Sequence, residues 1–204
     1  MDGVLVDSGE LHFHTWSQTL AEAGIPFSRE SFRKTFGMNN TGMMTFLLGK
    51  PPDPSLLSYI SDRKEGFFRQ AIHGQVHPMP GVLTWLKRLK RLGYLQAVAS
   101  SAPQANIDAL VDEMQVRAYF AAIVSAYDMP GKPDPAVFLE AARRLDLSPE
   151  RCIVVEDALS GVAAAHHAGM KCIAVTTTNP RQDLAEADVT VDSLVELQLE
   201  DFRR

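Results

Sequence analysis

The chain has 204 residues, a length that suits one α/β domain or one such domain with a small insert. A hydrophobic fraction of 46% supports a real core, and a net charge of -5 argues against a nucleic-acid binder, whose phosphate contacts need clustered Lys and Arg. Two cysteines make no disulfide framework, and no apolar run approaches the roughly 20 residues that cross a bilayer.

Taken in chain order, residues 1–6 read as the end of a strand. Residues 10 to about 75 show no strand pattern. Segments 11–23, 29–36, 42–48 and 56–72 read as helices, punctuated by Gly24, Pro26 and the run Lys50-Pro51-Pro52-Asp53-Pro54. From residue 80 onward the pattern alternates. Short apolar or β-branched runs at 95–99, 121–125, 152–155, 172–176 and 189–191 read as strands. Amphipathic segments at 81–92, 103–114, 135–145 and 161–168 read as the helices between them. Continuous apolar strands separated by helices predict a Rossmann-like α/β fold, a parallel sheet with helices on both faces joined by right-handed crossovers. The expected organisation is an α/β core over 1–9 and 77–204, with a small helical domain over 10–76 inserted after the first strand.

The densest basic run, Lys87, Arg88, Lys90 and Arg91, alternates with Trp85, Leu86, Leu89 and Leu92, as on the solvated side of an amphipathic helix. Cys152 and Cys172 start apolar runs and read as small core residues in a reducing compartment. Met38, Met43 and Met44 read as lining for the insert's apolar face. His166 and His167 are adjacent, so on a helix they point about 100° apart and read as a surface pair. Asp2 and Asp7 interrupt any signal peptide. The expectation is a soluble cytoplasmic protein, a monomer or weak dimer, with neither a membrane nor a nucleic acid as partner.

In open α/β sheets, ligands bind at the carboxyl ends of the strands. The segments that follow the predicted strands are Asp2-Gly3-Val4-Leu5-Val6-Asp7-Ser8, Ser100-Ser101, Gly131-Lys132-Pro133-Asp134-Pro135 and Glu156-Asp157. A hydroxyl pair, a lysine and three or more carboxylates on one edge suit a phosphate held against a divalent cation, since Mg²⁺ takes hard oxygen ligands and lysine neutralises phosphoryl oxygens. Taken singly, each piece has a local explanation. Ser100-Ser101 could cap the helix near Pro103, Lys132 could be a solvated turn lysine, and Asp134 before Pro135 makes a good N-cap. Adjacent Glu156 and Asp157 behind a buried strand are harder to explain locally, because they repel unless a cation lies between them. No Gly-rich nucleotide loop is present, so neither ATP nor NAD is implied.

In order and spacing, Asp-Gly-Val-Leu-Val-Asp-Ser, Ala-Ser-Ser, Gly-Lys-Pro-Asp-Pro and Val-Val-Glu-Asp-Ala-Leu-Ser-Gly resemble the four motifs of the haloacid dehalogenase superfamily, over essentially the whole chain. Glu10-Leu11-His12 and Trp16 are similar to its β-phosphoglucomutase and small-phosphatase branch, and the insert resembles its helical cap. The resemblance implies Mg²⁺ as cofactor and a small phosphorylated metabolite as substrate. It implies Asp2 as general acid/base and, through its carbonyl, a metal ligand. Ser100, with Ser101 beside it, resembles the phosphoryl-binding hydroxyl, and Lys132 the lysine between nucleophile and phosphate. Asp157 resembles the metal-binding carboxylate, with Glu156 in support. In the cap, His12, Asn40 and Lys64 resemble substrate-contacting residues, with a half-buried helix histidine and a solvated lysine as the local alternatives.

The family motif is Asp-x-Asp-Gly, and its first aspartate, the nucleophile that becomes an aspartyl phosphate, would stand immediately before Met1. No other residue of the chain replaces it. The expectation is that Met1 is an internal methionine preceded by roughly a strand's worth of residues, with a non-catalytic relative as the rival. A phosphatase is favoured over a sugar-phosphate mutase, because the stretch Gly37-Met38-Asn39-Asn40-Thr41-Gly42 has no arginine to hold a distal phosphate. A metal-free dehalogenase fits poorly with Asp2 and Glu156-Asp157. A binding or scaffold protein that kept the fold and lost the chemistry is the alternative of another class.

Overall fold

A computed structural model describes residues 1–35 and 38–203, so Phe36, the last residue of a predicted helix, and Gly37, the first of the predicted cap-loop stretch, lie outside the described residues. The chain forms two compact units, Ser8–Val76 and Met1–Asp7 with His77–Arg204.

The unit Ser8–Val76 is helical. Its helices are α1 (Gly9–Glu22), α2 (Arg29–Thr35), α3 (Asn40–Leu48) and α4 (Pro54–Ala71). Their starts follow local chemistry. The Asn39 side chain accepts from the Gly42 amide, and Asp53 accepts from the amides of Ser55 and Leu56 with Pro54 opening α4. Trp16, Leu20, Met43, Met44 and Ile60 form the core of this unit. Met38 does not join them. It is half exposed at 50%, because it precedes α3 and escapes the helical face that buries Met43 and Met44.

The second unit is α/β. Strands β1 (Ala97–Ser100) and β2 (Ala122–Ser125) pair in parallel, as do β3 (Ile153–Glu156), β4 (Lys171–Val175) and β5 (Val189–Val191), in the order β3-β4-β5. α5 (Val82–Arg91) precedes β1, and between the strands run α6 (Gln104–Glu113), α7 (Ala136–Arg144) and α8 (Leu159–His167). The register sets Val154 against Cys172 and Ile173 against Val189. Val124, Val137, Phe138, Val162, Ala165 and Cys172 contribute to one continuous core. On α5, Trp85, Leu86 and Leu89 are buried while Lys87, Lys90 and Arg91 are exposed and the Arg88 guanidinium lies 4.9 Å from the Trp85 ring, as the amphipathic reading predicted.

Residues 1–6 are not a strand. The Met1 carbonyl accepts from the amides of Val4, Leu5 and Val6, and the Gly3 amide donates to the Val6 carbonyl. Groups that a ladder would need are spent inside a tight turn, leaving only an isolated bridge between Asp2 and Val6. β1 starts at Ala97 rather than Leu95, since the turn at Gly93 leaves Leu95 53% exposed.

Candidate active site

Two loops meet at Glu156, the last residue of β3. Its carboxylate pairs with Lys132 from the loop between β2 and α7, and its Oε2 accepts from the amides of Asp157 (3.0 Å) and Ala158 (3.3 Å). Both charged side chains are largely buried, Lys132 at 14% and Glu156 at 6% exposure, and the Lys132 ammonium also lies 4.9 Å from the Phe138 ring centre. Burial alone would raise the Glu156 carboxyl, but the Lys132 charge and the hydrogen bonds outweigh it and hold the group below its ordinary value. Lys132 is thus a partnered buried cation and not a solvated turn lysine.

Asp157 points the other way. A Cβ added at Gly3, whose φ is +70°, would land on Asp157 Oδ2, so the Asp2-Gly3 turn and the Asp157 carboxylate touch through a backbone that only glycine can supply. Burial pushes the Asp157 carboxyl up to about 6, and the neighbouring Glu156 charge adds to the rise. Two donors missed in the sequence reading stand against Asp157. Thr178 Oγ1 is 2.5 Å from Oδ2, and Asn179 Nδ2 is 2.9 Å from the Asp157 carbonyl. Their only sequence signal was a polar pair just past a buried strand. Gly161 was also missed. A Cβ there would collide with the Glu156 carboxylate, so the first turn of α8 needs glycine to admit that side chain.

Ser100 ends β1 and is 5% exposed, with its Oγ accepting from the Ala102 amide at 3.2 Å; Ser101 beside it is half buried. Asp134 Oδ1 accepts from the Ala136 amide at 2.9 Å, but α7 starts at Ala136 and its N-cap is Pro135, one residue later than the expected cap at Asp134. His166 and His167 are both exposed; His166 Nε2 lies 3.1 Å from Asp188 Oδ2, and His167 donates from Nδ1 to the Pro133 carbonyl at 2.9 Å, beside Lys132.

Within the helical unit the three predicted residues gather around Glu65 and Phe68 of α4. Lys64 Nζ is 3.1 Å from both Glu65 oxygens, Asn40 Nδ2 donates to Glu65 Oε1 at 3.0 Å, and the His12 ring stacks on Phe68 with centroids 4.2 Å apart. Lys64 and Glu65 are 4% and 6% exposed. The local alternative of a solvated lysine therefore does not hold, because a buried ammonium needs this carboxylate.

Among the described residues, no three His, Cys, Asp or Glu side chains surround one point. Glu156 is spent on Lys132 and two amides, while the Asp157 carboxylate lies against the Asp2-Gly3 turn. Carboxylate and main-chain oxygens are hard donors, which fit Mg²⁺ and not a softer transition metal.

A sequence profile of the haloacid dehalogenase-like hydrolases matches residues 1–175. The chain is 32% identical to the chloroplastic 5-amino-6-(5-phospho-D-ribitylamino)uracil phosphatase of Arabidopsis thaliana over 100% of its own length, and spans 55% of that protein. It is 29% identical to the β-phosphoglucomutase of Bacillus subtilis, covering 98% of this chain and 90% of that one. Among solved structures, CbbY of Rhodobacter sphaeroides in complex with xylulose-1,5-bisphosphate superposes with a TM-score of 0.91 at 28% identity, over 100% of this chain and 96% of that one.

Proposed function

The chain belongs to the haloacid dehalogenase-like hydrolases, a family of enzymes, and on that premise we propose that it is a Mg²⁺-dependent phosphatase acting on a small phosphorylated metabolite. The observation that carries this reading is the arrangement of buried charge at the end of β3. Lys132 is partnered by Glu156, while Asp157 is crowded against Gly3 with its carboxyl pushed up to about 6. A buried carboxylate beside a main-chain turn is a place for a divalent cation, and a buried lysine close by is a place for phosphate.

Each residue then has a role. Asp157 and the Asp2 carbonyl hold Mg²⁺, which when bound neutralises phosphoryl charge. Lys132 donates to the phosphoryl oxygens, and Glu156 keeps it aimed. Ser100, with Ser101, binds the phosphoryl group from the end of β1. Asp2 gives a proton to the leaving oxygen and takes one from water. The family motif assigns the nucleophile to the first aspartate of Asp-x-Asp-Gly, one position before Met1, which forms and then loses an aspartyl phosphate. The helical unit acts as the cap and supplies His12, Asn40 and Lys64 for substrate selection. The relatives' phosphorylated polyol and sugar compounds support a substrate of that size. Residues 38–42 contain no arginine, which favours a phosphatase over a mutase. Two free thiols support a reducing, cytoplasmic setting.

The test is Mg²⁺-dependent hydrolysis of p-nitrophenyl phosphate by the chain starting at Met1, beside a version extended upstream to carry that aspartate. Activity in the extended version alone is expected. Activity in the shorter chain that disappears in Asp157→Asn would overturn the assigned nucleophile. Silence in both, with both folded, would sink the phosphatase reading in favour of a mutase of narrow specificity or a non-catalytic relative.

A further inference from the structure

After β4 ends at Val175, the chain turns through residues 176–180 and sets two side chains against Asp157. Thr178 Oγ1 lies 2.5 Å from Asp157 Oδ2 and 3.0 Å from the Asp157 carbonyl oxygen. Asn179 Nδ2 lies 2.9 Å from the same carbonyl and 3.0 Å from Thr178 Oγ1.

Counting protons gives this cluster a direction. A threonine hydroxyl has one proton and an asparagine amide has two. The hydroxyl proton goes to the carboxylate, its closest and most basic partner. The two Asn179 protons then serve the Asp157 carbonyl and the Thr178 oxygen. The chain runs from Asn179 through Thr178 and ends on one particular oxygen, Oδ2. Gly3 closes in on that same oxygen from the first motif, and the Thr178 methyl group packs 3.1 Å from where a Gly3 Cβ would stand. Oδ2 is therefore committed to protein groups, and Oδ1 is the oxygen of this carboxylate available to a cation.

We propose that Thr178, oriented by Asn179, is a positioning residue that fixes which oxygen of Asp157 faces a bound cation, and so sets the cation affinity of the site. The proposal rests on the assignment of Asp157 as a Mg²⁺ ligand made above. Hydrogen-bond partners of metal-binding carboxylates change metal affinity by about 10- to 100-fold when removed. The swap that isolates the hydroxyl is Thr178→Val, which keeps the shape. Thr178→Ser keeps the hydroxyl and removes the methyl group.

The experiment is titration with Mg²⁺ alone, by calorimetry, of the chain extended upstream by the motif aspartate, with melting of each cation-free variant as a check on folding. Thr178→Val should weaken Mg²⁺ binding by about 10-fold or more at an unchanged melting temperature, and Thr178→Ser should restore it. Asn179→Ala, which keeps the hydroxyl but removes the amide that orients it, should weaken binding in the same direction. That comparison stands even if Thr178→Val does not fold. Mg²⁺ binding in Thr178→Val equal to that of the wild type would overturn the proposal while leaving the phosphatase reading intact. So would a Thr178→Ser variant as weak as Thr178→Val, since the methyl group would then be what matters. A folded wild type that binds no Mg²⁺ would remove the phosphatase reading and this inference together.

Discussion

Glu156 shows how tightly single residues are determined at the end of β3. It accepts from one buried ammonium and two amides, so its carboxylate cannot rotate away without leaving buried donors unpaired. Gly161 is the residue that makes room for it. This yields a prediction in which the sign decides. On an open helix surface, replacing glycine with alanine stabilises by about 0.5–1 kcal/mol. Here the added methyl meets a carboxylate that is fixed in place, and overpacking of that kind costs about 1–3 kcal/mol. Gly161→Ala should therefore lower the urea unfolding midpoint, and a raised midpoint would mean that Glu156 is free to move. Removing Lys132 is the harsher change. Breaking a buried ion pair by deleting one partner typically costs about 3–5 kcal/mol, so Lys132→Ala should be less stable than Gly161→Ala in the same titration.

At the scale of elements, α7 carries the loop that holds Lys132, and its anchoring is testable by pH. Glu140 accepts from Arg143 and Arg144, and Arg144 Nη1 also donates to the Ile123 carbonyl of β2 at 2.9 Å, tying the helix to the strand. Hydrogen bonds from the two guanidiniums pull the Glu140 carboxyl down to about 2 from an ordinary 4.5. A carboxyl whose folded-state value is lowered stabilises the fold fully above its unfolded value, and that contribution is lost as pH falls through the folded value. The window is therefore from pH 4.5 down to about 2. Melting temperatures followed through it should fall less steeply in Glu140→Gln than in the wild type. High salt should narrow the difference, because the cluster faces solvent. Equal acid slopes would show that Glu140 does not contribute.

At the scale of the whole molecule, the α/β unit is built from two stretches of chain, Met1–Asp7 and His77–Arg204. The two stretches are stitched where the chain leaves and returns, by the Met79 amide donating to the Leu5 carbonyl at 2.9 Å. The far end is tied down as well. Trp85 Nε1 donates to the Leu194 carbonyl at 2.8 Å, the Trp85 ring lies 4.8 Å from that of Phe202, and Lys171 donates to the Asp201 carbonyl at 2.7 Å. Because the departure and return points are one hydrogen bond apart, deleting Ser8–Val76 and bridging the gap with a short glycine linker should leave a unit that melts cooperatively. A broad, non-cooperative melt would show that the α/β unit cannot fold without the insert.

Much of this was legible in the chain alone. Periodicity separates the helices of residues 10 to about 75 from the alternating strands and helices after residue 80, because side-chain burial repeats at 3.6 residues in one and runs continuously in the other. Two helix starts were read two residues late, at 42 and 56, because the caps that set them, Asn39 and Asp53, lie ahead of the first apolar positions. The motif residues Lys132, Glu156 and Asp157 could be named, since each follows a readable strand pattern. The reading of residues 1–6 as a strand failed because an apolar run does not reveal where its amides go, and here they turn back on Met1. Nor could the sequence show that Glu156 faces Lys132 while Asp157 faces Thr178, or that Gly161 and Gly3 are needed to admit those carboxylates. The two side-chain pairings join residues 24 and 21 positions apart, and the Gly3 contact spans most of the chain. Local preferences act over a turn or a strand, whereas the direction of a buried charge is settled by whichever partners the folded chain brings within hydrogen-bonding distance.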